Sequence, residues 1–353
     1  MGPPKTPQDT TTRSYTVACV LMSLLKLPAA WFQLSIIFFA PDINFSCISE
    51  SNKNETNLNL TYDDLDWNKA CYVGLNDSLK CEQWRYDTSQ YTRSIVHEWD
   101  LVCDQSYGSV IAQSSFFVGI LFGNIGFHLM AERIGRKGPL MLSILIQAFG
   151  SVLVGLSHTF ITFLIYRLIL GVGLGGTIVI SGKLGNELVS KKLRVPVSLM
   201  TQIPFGLGQG VLALTAFFFR DWRDVNIAIS IYSFAFVLYY WLVPESSKWL
   251  VEHEKRRKLK LVTNASQTSF DKAKNESTLI GETFTQPVAP KKVTIMSLLE
   301  GSTLRRYTIS IFAMSFFAGV CFFSMNQYQA KLGSDVFFNI GIGVFRYNWR
   351  SSW

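Results

Sequence analysis

The sequence GILFGNIGFHLMAERIGRK, which runs from Gly119 to Lys137, decides the fold of this chain. Its first part is apolar and carries Gly119, Gly123 and Gly126 near one face of a helix, where a neighbouring helix is expected to approach closely. Its second part is a tight turn with one acid and three bases around a glycine: Glu132, Arg133, Gly135, Arg136 and Lys137. Because short basic loops normally remain on the cytoplasmic side of a membrane, the stretch predicts the cytoplasmic end of a membrane helix.

Apolar segments recur along the chain, each long enough to cross about 30 Å of hydrocarbon, with charged residues at their ends. Seven of them are predicted to be membrane helices, numbered 1 to 7 in chain order: residues 17–39, 108–130, 140–156, 160–181, 197–219, 226–243 and 307–326. A hydrophobic content of 48% would also suit a soluble protein, so composition alone does not identify the class of protein. The grouping of the apolar residues into long segments does. The sequence therefore predicts an all-α integral membrane protein.

The formal net charge of +8 is concentrated between the apolar segments and orients them. A cytoplasmic N-terminus (residues 1–16) places the basic connecting segments on the same side: 131–139, 182–196 and 244–306. The other side receives the acidic loop 40–107, the tail 327–353 and the turn from Arg220 to Asp224, whose charges cancel. The basic excess therefore indicates orientation and not affinity for nucleic acid.

The loop 40–107 carries two signs of an oxidising, extracellular compartment. It holds four of the six cysteines: Cys47, Cys71, Cys81 and Cys103. It also holds four acceptor sites for N-linked glycosylation: Asn44, Asn54, Asn59 and Asn76. Two disulfides are expected, and their three possible pairings stay open at this point.

The glycine-rich helix and basic turn resemble the loop between helices 2 and 3 of the major facilitator superfamily. The loop 40–107 ends in Cys81-Glu-Gln-Trp84-Arg-Tyr86-Asp87 and in Glu98-Trp99-Asp100-Leu-Val-Cys103. These motifs are similar to those of a narrower family, the organic cation, anion and zwitterion transporters of solute carrier family 22. The resemblance implies an N-terminal six-helix bundle plus a seventh helix, and transport by alternating access around a site near the midplane.

The resemblance also implies a cytoplasmic gate in which acids and bases pair at the helix ends. Its candidate residues are Gly123, Glu132, Arg133, Gly135, Arg136, Lys137, Glu187, Arg194 and Glu245. Ion pairs among them could hold the cytoplasmic face closed while the cavity opens outward. A solvated charged rim is the alternative.

Polar residues inside the apolar segments are the candidates for a substrate path: Lys26, Gln33, Gln113, Gln147, Arg167, Gln209 and Tyr232. Lys26 either faces the substrate path or has no functional role at its position. Arg167 either contacts substrate, anchors hydrogen bonds in the interior, or extends to the outer interface. Each glutamine, taken singly, is more often a contact between helices.

Helix 5 contains Pro204 together with Gly206, Gly208 and Gly210, which predicts a bend or local unwinding. Residues 251–306 are too polar to fold as a domain and are expected to be a linker with one amphipathic helix on the membrane. The resemblance covers about residues 10 to 339, and the last fourteen residues are unlike the family. The chain is therefore expected to be a form of the family that is truncated after the seventh helix.

The first functional hypothesis is transport of organic ions, with cations or zwitterions preferred, by a multi-pass protein of the plasma membrane. The second is a transport-incompetent short form that pairs with a full-length transporter or with the missing half. An enzyme is not expected, because the histidines are scattered and no phosphate-binding or nucleophile motif occurs. The sequence predicts no metal site, no cofactor and no nucleic-acid partner, only a small organic ion and the lipid bilayer.

Overall fold

A computed structural model describes residues 19–47, 71–73, 79–188, 202–243, 245, 249–251, 253–255, 257–258 and 301–331. The chain divides into two units, one formed by Met1–Ser246 with Gln329–Trp353 and the other by Ser247–Tyr328. The first unit contains the first six apolar helices and the described part of the extracellular loop. Asn54, Asn59, Asn76 and Arg194 lie outside the described residues.

The first unit is a helical bundle, as the apolar segments predict. Helix 1 spans Cys19–Phe39 and includes the α-helical stretches Lys26–Leu34 and Ile36–Phe39. The bounds of the next helices are Gly108–Ile134 for helix 2, Lys137–Gly155 for helix 3, Phe160–Leu188 for helix 4 and Gln202–Phe218 for helix 5. Helix 6 spans Trp222–Leu242. All of these except helix 5 have the length and composition of a membrane span, and the part of helix 5 that the structure describes is a shorter apolar helix.

Several helices extend beyond their predicted ends into charged sequence. Helix 2 continues to Ile134 and helix 4 to Leu188, because a helix satisfies its own backbone in water as well as in lipid. Helix 6 begins earlier than predicted, at Trp222, where the Asp221 carboxylate accepts a hydrogen bond from the Arg223 N–H at 2.8 Å. The Asp221 side chain thereby caps the helix.

Helix 1 is interrupted at Leu25 and at Ser35, and helix 6 is interrupted at Ala235–Leu238. Helix 1 has a turn at Leu25, and Pro28 cannot donate the backbone hydrogen bond that would bridge this turn. Helix 6 is α-helical over Trp222–Phe234 and Tyr239–Leu242, with a 3-10 segment at Ala235–Leu238 between them. The 3-10 geometry tightens one turn without leaving the helical path.

Within the described residues helix 5 shows no local unwinding, since Gln202–Phe218 is an unbroken α-helix. The bend at Pro204 stays a prediction. Gly208 serves the packing of this helix. A Cβ added at Gly208 would lie 2.8 Å from the Leu27 carbonyl oxygen, so the bare backbone of helix 5 lies directly against helix 1.

Helix 4 packs closely against helix 2 through small residues. A Cβ added at Gly119 or Gly123 would lie 2.2 Å from a carbonyl oxygen of helix 4, and Gly171 and Gly175 meet helix 2 in the same way. Gly126 does not belong to this face, contrary to the sequence-based expectation. It is exposed, and a Cβ added there would meet no atom within 4 Å.

The described part of the extracellular loop holds two short antiparallel strand pairs and a short helix. Strand β1 (Phe45–Cys47) pairs with β4 (Trp84–Tyr86), and β2 (Tyr72–Val73) pairs with β3 (Leu79–Lys80). Disulfides join Cys47 to Cys81 and Cys71 to Cys103, which selects one of the three possible pairings. Asn44 is exposed beside β1. The short helix Ile95–Trp99 follows the strands.

The second unit contains helix 7, Ser302–Lys331, whose stretch Ser302–Tyr328 has the length and composition of a membrane span. Before it, Trp249 stacks on His253 with ring centroids 4.7 Å apart. The amphipathic helix expected within 251–306 falls outside the described residues.

Candidate functional site

Arg167 is fully buried at 0% exposure in helix 4 and reaches two other helices. Its Nη1 donates to the Ser35 hydroxyl at 3.0 Å, and its Nη2 donates to Oε1 of Gln113 at 2.9 Å. The guanidinium also lies over the ring of Phe116 at 4.8 Å from its centroid. A guanidinium that cannot lose its proton is therefore surrounded by neutral oxygens and an aromatic face inside the bundle.

Gln113 continues this contact to helix 1. Its amide nitrogen donates to the backbone oxygen of Gln33 at 3.2 Å, so one chain of hydrogen bonds joins helices 4, 2 and 1. Lys26 lies on helix 1, seven positions before Gln33 and therefore near the same face. Both side chains are half-buried, and no carboxylate of the described residues lies within ion-pairing distance of Lys26.

The other candidates of the substrate path lie on helices 3, 5 and 6. Gln147 is buried in helix 3, where its backbone faces Gly173 of helix 4. Gln209 is buried in helix 5. Tyr232 is partly exposed on helix 6 and packs edge-on against Trp31, with ring centroids 5.7 Å apart. The structure therefore brings together Arg167, Gln113 and Gln33, and leaves the remaining candidates on separate helices.

A second polar contact, between helices 3 and 6, was missed in the sequence. The Asn226 amide donates to the Ser151 carbonyl at 2.7 Å, and the hydroxyls of Ser151 and Ser230 are 2.5 Å apart. All three residues are buried. The helical spacing of Asn226, Ser230 and Ser233 within an apolar segment is the signal that could have found it.

At the helix ends that the sequence predicts to be cytoplasmic, Glu245 binds the start of helix 3. Its Oε1 accepts from the backbone N–H of Arg136 at 2.8 Å, and its Oε2 accepts from that of Lys137 at 3.2 Å. A carboxylate at a helix N-terminus satisfies free N–H groups and complements the helix dipole. Glu245 follows helix 6, so this contact joins the ends of helices 6 and 3.

Arg136 forms the buried ion pair of this face. Its Nη2 lies 3.0 Å from Oε1 of Glu187 on helix 4, and its Nη1 donates to the Ala131 carbonyl at 2.9 Å. The more exposed pair is Lys183 with Glu132, whose Nζ and Oε1 are 3.0 Å apart. We call the contacts of Glu132, Arg136, Lys183, Glu187 and Glu245 the cytoplasmic network.

Three further gate candidates, Gly135, Arg133 and Lys137, lie at the turn between helices 2 and 3. Gly135 makes the turn between helices 2 and 3 with a φ of 115°. Residues with a Cβ atom rarely adopt this backbone conformation, and glycine adopts it without strain. Arg133 is exposed. The Lys137 ammonium lies 4.8 Å from the ring centroid of Tyr240. The cytoplasmic network joins the ends of helices 2, 3, 4 and 6, and any separation of those ends must break several of its contacts.

The sequence matches known transporters along most of its length. The family model described as sugar (and other) transporter matches residues 62–344. The organic cation transporter protein of Drosophila melanogaster is 28% identical over 353 residues, which cover 90% of this chain and 64% of that protein. The human organic cation/carnitine transporter 2 is 28% identical over 260 residues, covering 72% of this chain and 46% of that protein. Solute carrier family 22 member 6 of Danio rerio is 28% identical over 287 residues, covering 79% of this chain and 51% of that protein.

Among solved structures, the proton:xylose symporter XylE of the major facilitator superfamily matches with a TM-score of 0.55 and 16% identity, covering 94% of this chain and 65% of that chain. This likeness shows the fold. The chain spans less than two thirds of the length of each of the three curated relatives named above. The relatives are named as transporters and not as enzymes, and the all-α membrane fold expected from the sequence is confirmed. The chain belongs to the sugar (and other) transporter family, has the fold of the major facilitator superfamily, and is similar to proteins of solute carrier family 22.

Proposed function

We propose that this chain forms the N-terminal bundle of a secondary transporter that moves organic cations or zwitterions, such as amines or carnitine-like solutes, by alternating access. The observation that carries the mechanism is the cytoplasmic network, because it ties together four helix ends at the face that must open and close. The activity is proposed for the whole protein, since the chain spans 64% of the length of the Drosophila relative.

The cytoplasmic network suits a two-state gate on energetic grounds. The Arg136–Glu187 pair is largely buried, with side chains 6% and 16% exposed. Losing one partner of such a pair costs about 3 to 5 kcal/mol, whereas exposed pairs contribute about 1 kcal/mol or less. A few kcal/mol is enough to move a two-state equilibrium from one form to the other.

The substrate class rests on the names of the relatives and on the polar residues of the bundle. Two curated relatives are named as transporters of organic cations or of organic cations and carnitine. We propose that Lys26 and Gln33 line the path and that Gln147, Gln209 and Tyr232 border it. Arg167 and Gln113 bind each other, so we assign them to holding helices 1, 2 and 4 in place. A cationic Lys26 favours a substrate that also carries a carboxylate, and therefore a zwitterion over a simple amine.

Uptake by cells that express residues 1–353 tests this proposal. The probes are a labelled quaternary ammonium, a labelled carnitine-like zwitterion and a labelled organic anion. Surface biotinylation and glycosidase treatment would show whether the protein reaches the plasma membrane with a glycosylated loop. We expect saturable uptake of the zwitterion or the cation, with competition by unlabelled compound.

The alternative outcomes separate the hypotheses. Uptake of the anion alone would overturn the substrate class. Background uptake of all three probes, with the protein at the surface, would exclude transport by residues 1–353 alone and favour the transport-incompetent form. Fusion of these residues to the C-terminal half of a related transporter would then test whether the bundle takes part in transport.

A further inference from the structure

Glu98, on the short helix of the extracellular loop, lies against the start of helix 6. Its carboxylate accepts a hydrogen bond from the indole N–H of Trp222 at 3.0 Å and from Nε of Arg223 at 3.3 Å. The Nη2 of Arg223 forms an ion pair with the other oxygen of Glu98. The two guanidinium contacts are bidentate, the geometry in which arginine binds carboxylates most strongly. Glu98 belongs to the loop motif that the sequence singled out, and Arg223 belongs to the turn whose charges were expected to cancel.

Arg223 also binds the end of helix 3. Its Nη1 donates to the Gly155 carbonyl at 2.6 Å, and its Nη2 donates to the Ser157 carbonyl at 2.5 Å. A cation at a helix C-terminus satisfies free carbonyl groups and complements the negative end of the dipole. One guanidinium thus joins the extracellular loop, helix 6 and helix 3.

Aromatic packing surrounds this ion pair. Trp99, next to Glu98, packs against Phe163 of helix 4 and against Trp222, with ring centroids 5.0 Å and 5.7 Å away. Trp222 is 1% exposed and Phe163 is 0% exposed. The rings exclude water from one side of the ion pair, and its hydrogen bonds are stronger in such an environment.

Backbone hydrogen bonds join the same two segments. The N–H of Thr92 donates to the Arg220 carbonyl at 3.1 Å, and the N–H of Trp222 donates to the Arg93 carbonyl at 3.2 Å. The segment before the short helix is therefore paired with the turn between helices 5 and 6. Burial opposes ionisation of Glu98, but hydrogen bonds from Arg223 and Trp222 outweigh it and lower the pKa of this carboxyl below its usual value.

We infer that Glu98 and Arg223 form an extracellular clasp that docks the loop segment 92–100 onto the ends of helices 3, 4 and 6, so that the loop and these helices move as one rigid body. Glu98 and Arg223 are positioning residues in this assignment. The Cys71–Cys103 disulfide follows the docked segment and ties the earlier part of the loop to it. The docking stands on contacts within the bundle and does not depend on the proposed transport activity.

A cross-linking experiment in the otherwise intact chain tests the clasp. Thr92→Cys and Arg220→Cys place thiols on two exposed residues whose backbones are hydrogen-bonded, a separation that suits a disulfide. Cys19→Ser and Cys321→Ser remove the two free cysteines. A protease site inserted within 189–196 then separates Thr92 from Arg220, and both native disulfides lie on the N-terminal fragment. Non-reducing gels after cleavage therefore report only the new cross-link.

We expect the two fragments to remain joined in the parent protein. Glu98→Gln and Glu98→Ala should lower the cross-linked fraction by about threefold or more, because charged hydrogen bonds hold the segments together. Glu82→Gln is the matched control, since Glu82 is an exposed acid of the same loop, and it should leave the fraction unchanged. Two results would overturn the inference: a parent protein that does not cross-link, or a cross-linked fraction in Glu98→Ala equal to that of the parent.

Discussion

The Nη2 of Arg167 lies 2.9 Å from Oε1 of Gln113, and this contact joins helix 4 to helix 2 inside the bundle. The same guanidinium donates to Ser35 of helix 1. A buried cation is tolerated in a membrane helix only where polar groups of the protein surround it. The three helices that carry these partners are therefore fixed relative to one another by a single side chain.

Replacing Gln113 tests this fixation. Gln113→Ala removes one acceptor from a fully buried guanidinium, and it should lower the stability of the bundle by about 1.5 to 3 kcal/mol. The loss is measurable as a lower midpoint of thermal unfolding in detergent. Gln202→Ala, at an exposed position of helix 5, serves as the control and should leave the midpoint nearly unchanged. Equal midpoints for the two variants would contradict the anchoring role of Arg167.

The glycines of helix 2 offer a matched pair of substitutions. Gly123→Ala places a methyl group 2.2 Å from the Val172 carbonyl oxygen, so helices 2 and 4 must separate, at a cost of about 1 to 3 kcal/mol. Gly126→Ala meets no atom within 4 Å and replaces glycine by a better helix former. We expect a lower unfolding midpoint for the first variant and an equal or higher one for the second. The reverse order would show that helices 2 and 4 do not meet at Gly123.

The two ion pairs of the cytoplasmic network should differ in their contribution to stability. Glu187→Gln leaves the buried Arg136 without its carboxylate and should cost about 3 kcal/mol. Glu132→Gln affects a pair whose side chains are 25% and 50% exposed, and it should cost less than about 1 kcal/mol. Thermal unfolding at low and high salt compares the two variants. High salt should reduce the destabilisation by Glu132→Gln and leave that by Glu187→Gln nearly unchanged, because salt screens exposed charges. Equal costs for the two variants would argue against a buried pair at Arg136.

We expect His97 to make the short extracellular helix sensitive to pH, because its ring takes part in the helix cap. The N–H of Ser94 donates to Nδ1 of His97 at 3.1 Å, and the Ser94 hydroxyl accepts from the His97 N–H, which completes a capping box. Protonation of Nδ1 would remove the acceptor. Burial lowers the pKa of His97 below its usual 6.5, although Asp100 and Asp87 oppose this shift. The capping box therefore gives its full stabilisation of the short helix above about pH 6.5. This stabilisation is lost as the pH falls through the lowered pKa of His97 in the folded state.

The substitution His97→Gln separates the cap from its titration, because glutamine is a natural partner in a capping box and does not ionise. Between pH 7.5 and pH 5.5 the unmodified protein should lose up to about 1 kcal/mol of cap stabilisation relative to His97→Gln. Protection of the loop from an added protease at each pH provides the measurement. An unchanged difference between the two proteins would show that His97 does not govern the cap.

The all-α membrane fold and the family were both predictable from the sequence. A membrane helix satisfies its backbone hydrogen bonds within one segment, so the length of an apolar run is a local property that the sequence displays directly. The positive-inside rule is likewise a property of single loops. The sequence also shows that Arg167 needs polar partners, since an unpaired charge in lipid is costly. Only the structure decided that these partners lie inside the bundle and not at the outer interface.

The partners of these residues were decided only by the tertiary structure. Gly123 and Gly126 look alike in the sequence, but the rotation of helix 2 places only Gly123 against helix 4. The Cys47–Cys81 pairing and the Glu98–Arg223 ion pair join residues far apart in the chain. Such contacts depend on how helices and loop pack together, and packing is set by the complementary shapes of whole surfaces, which no single stretch of sequence contains.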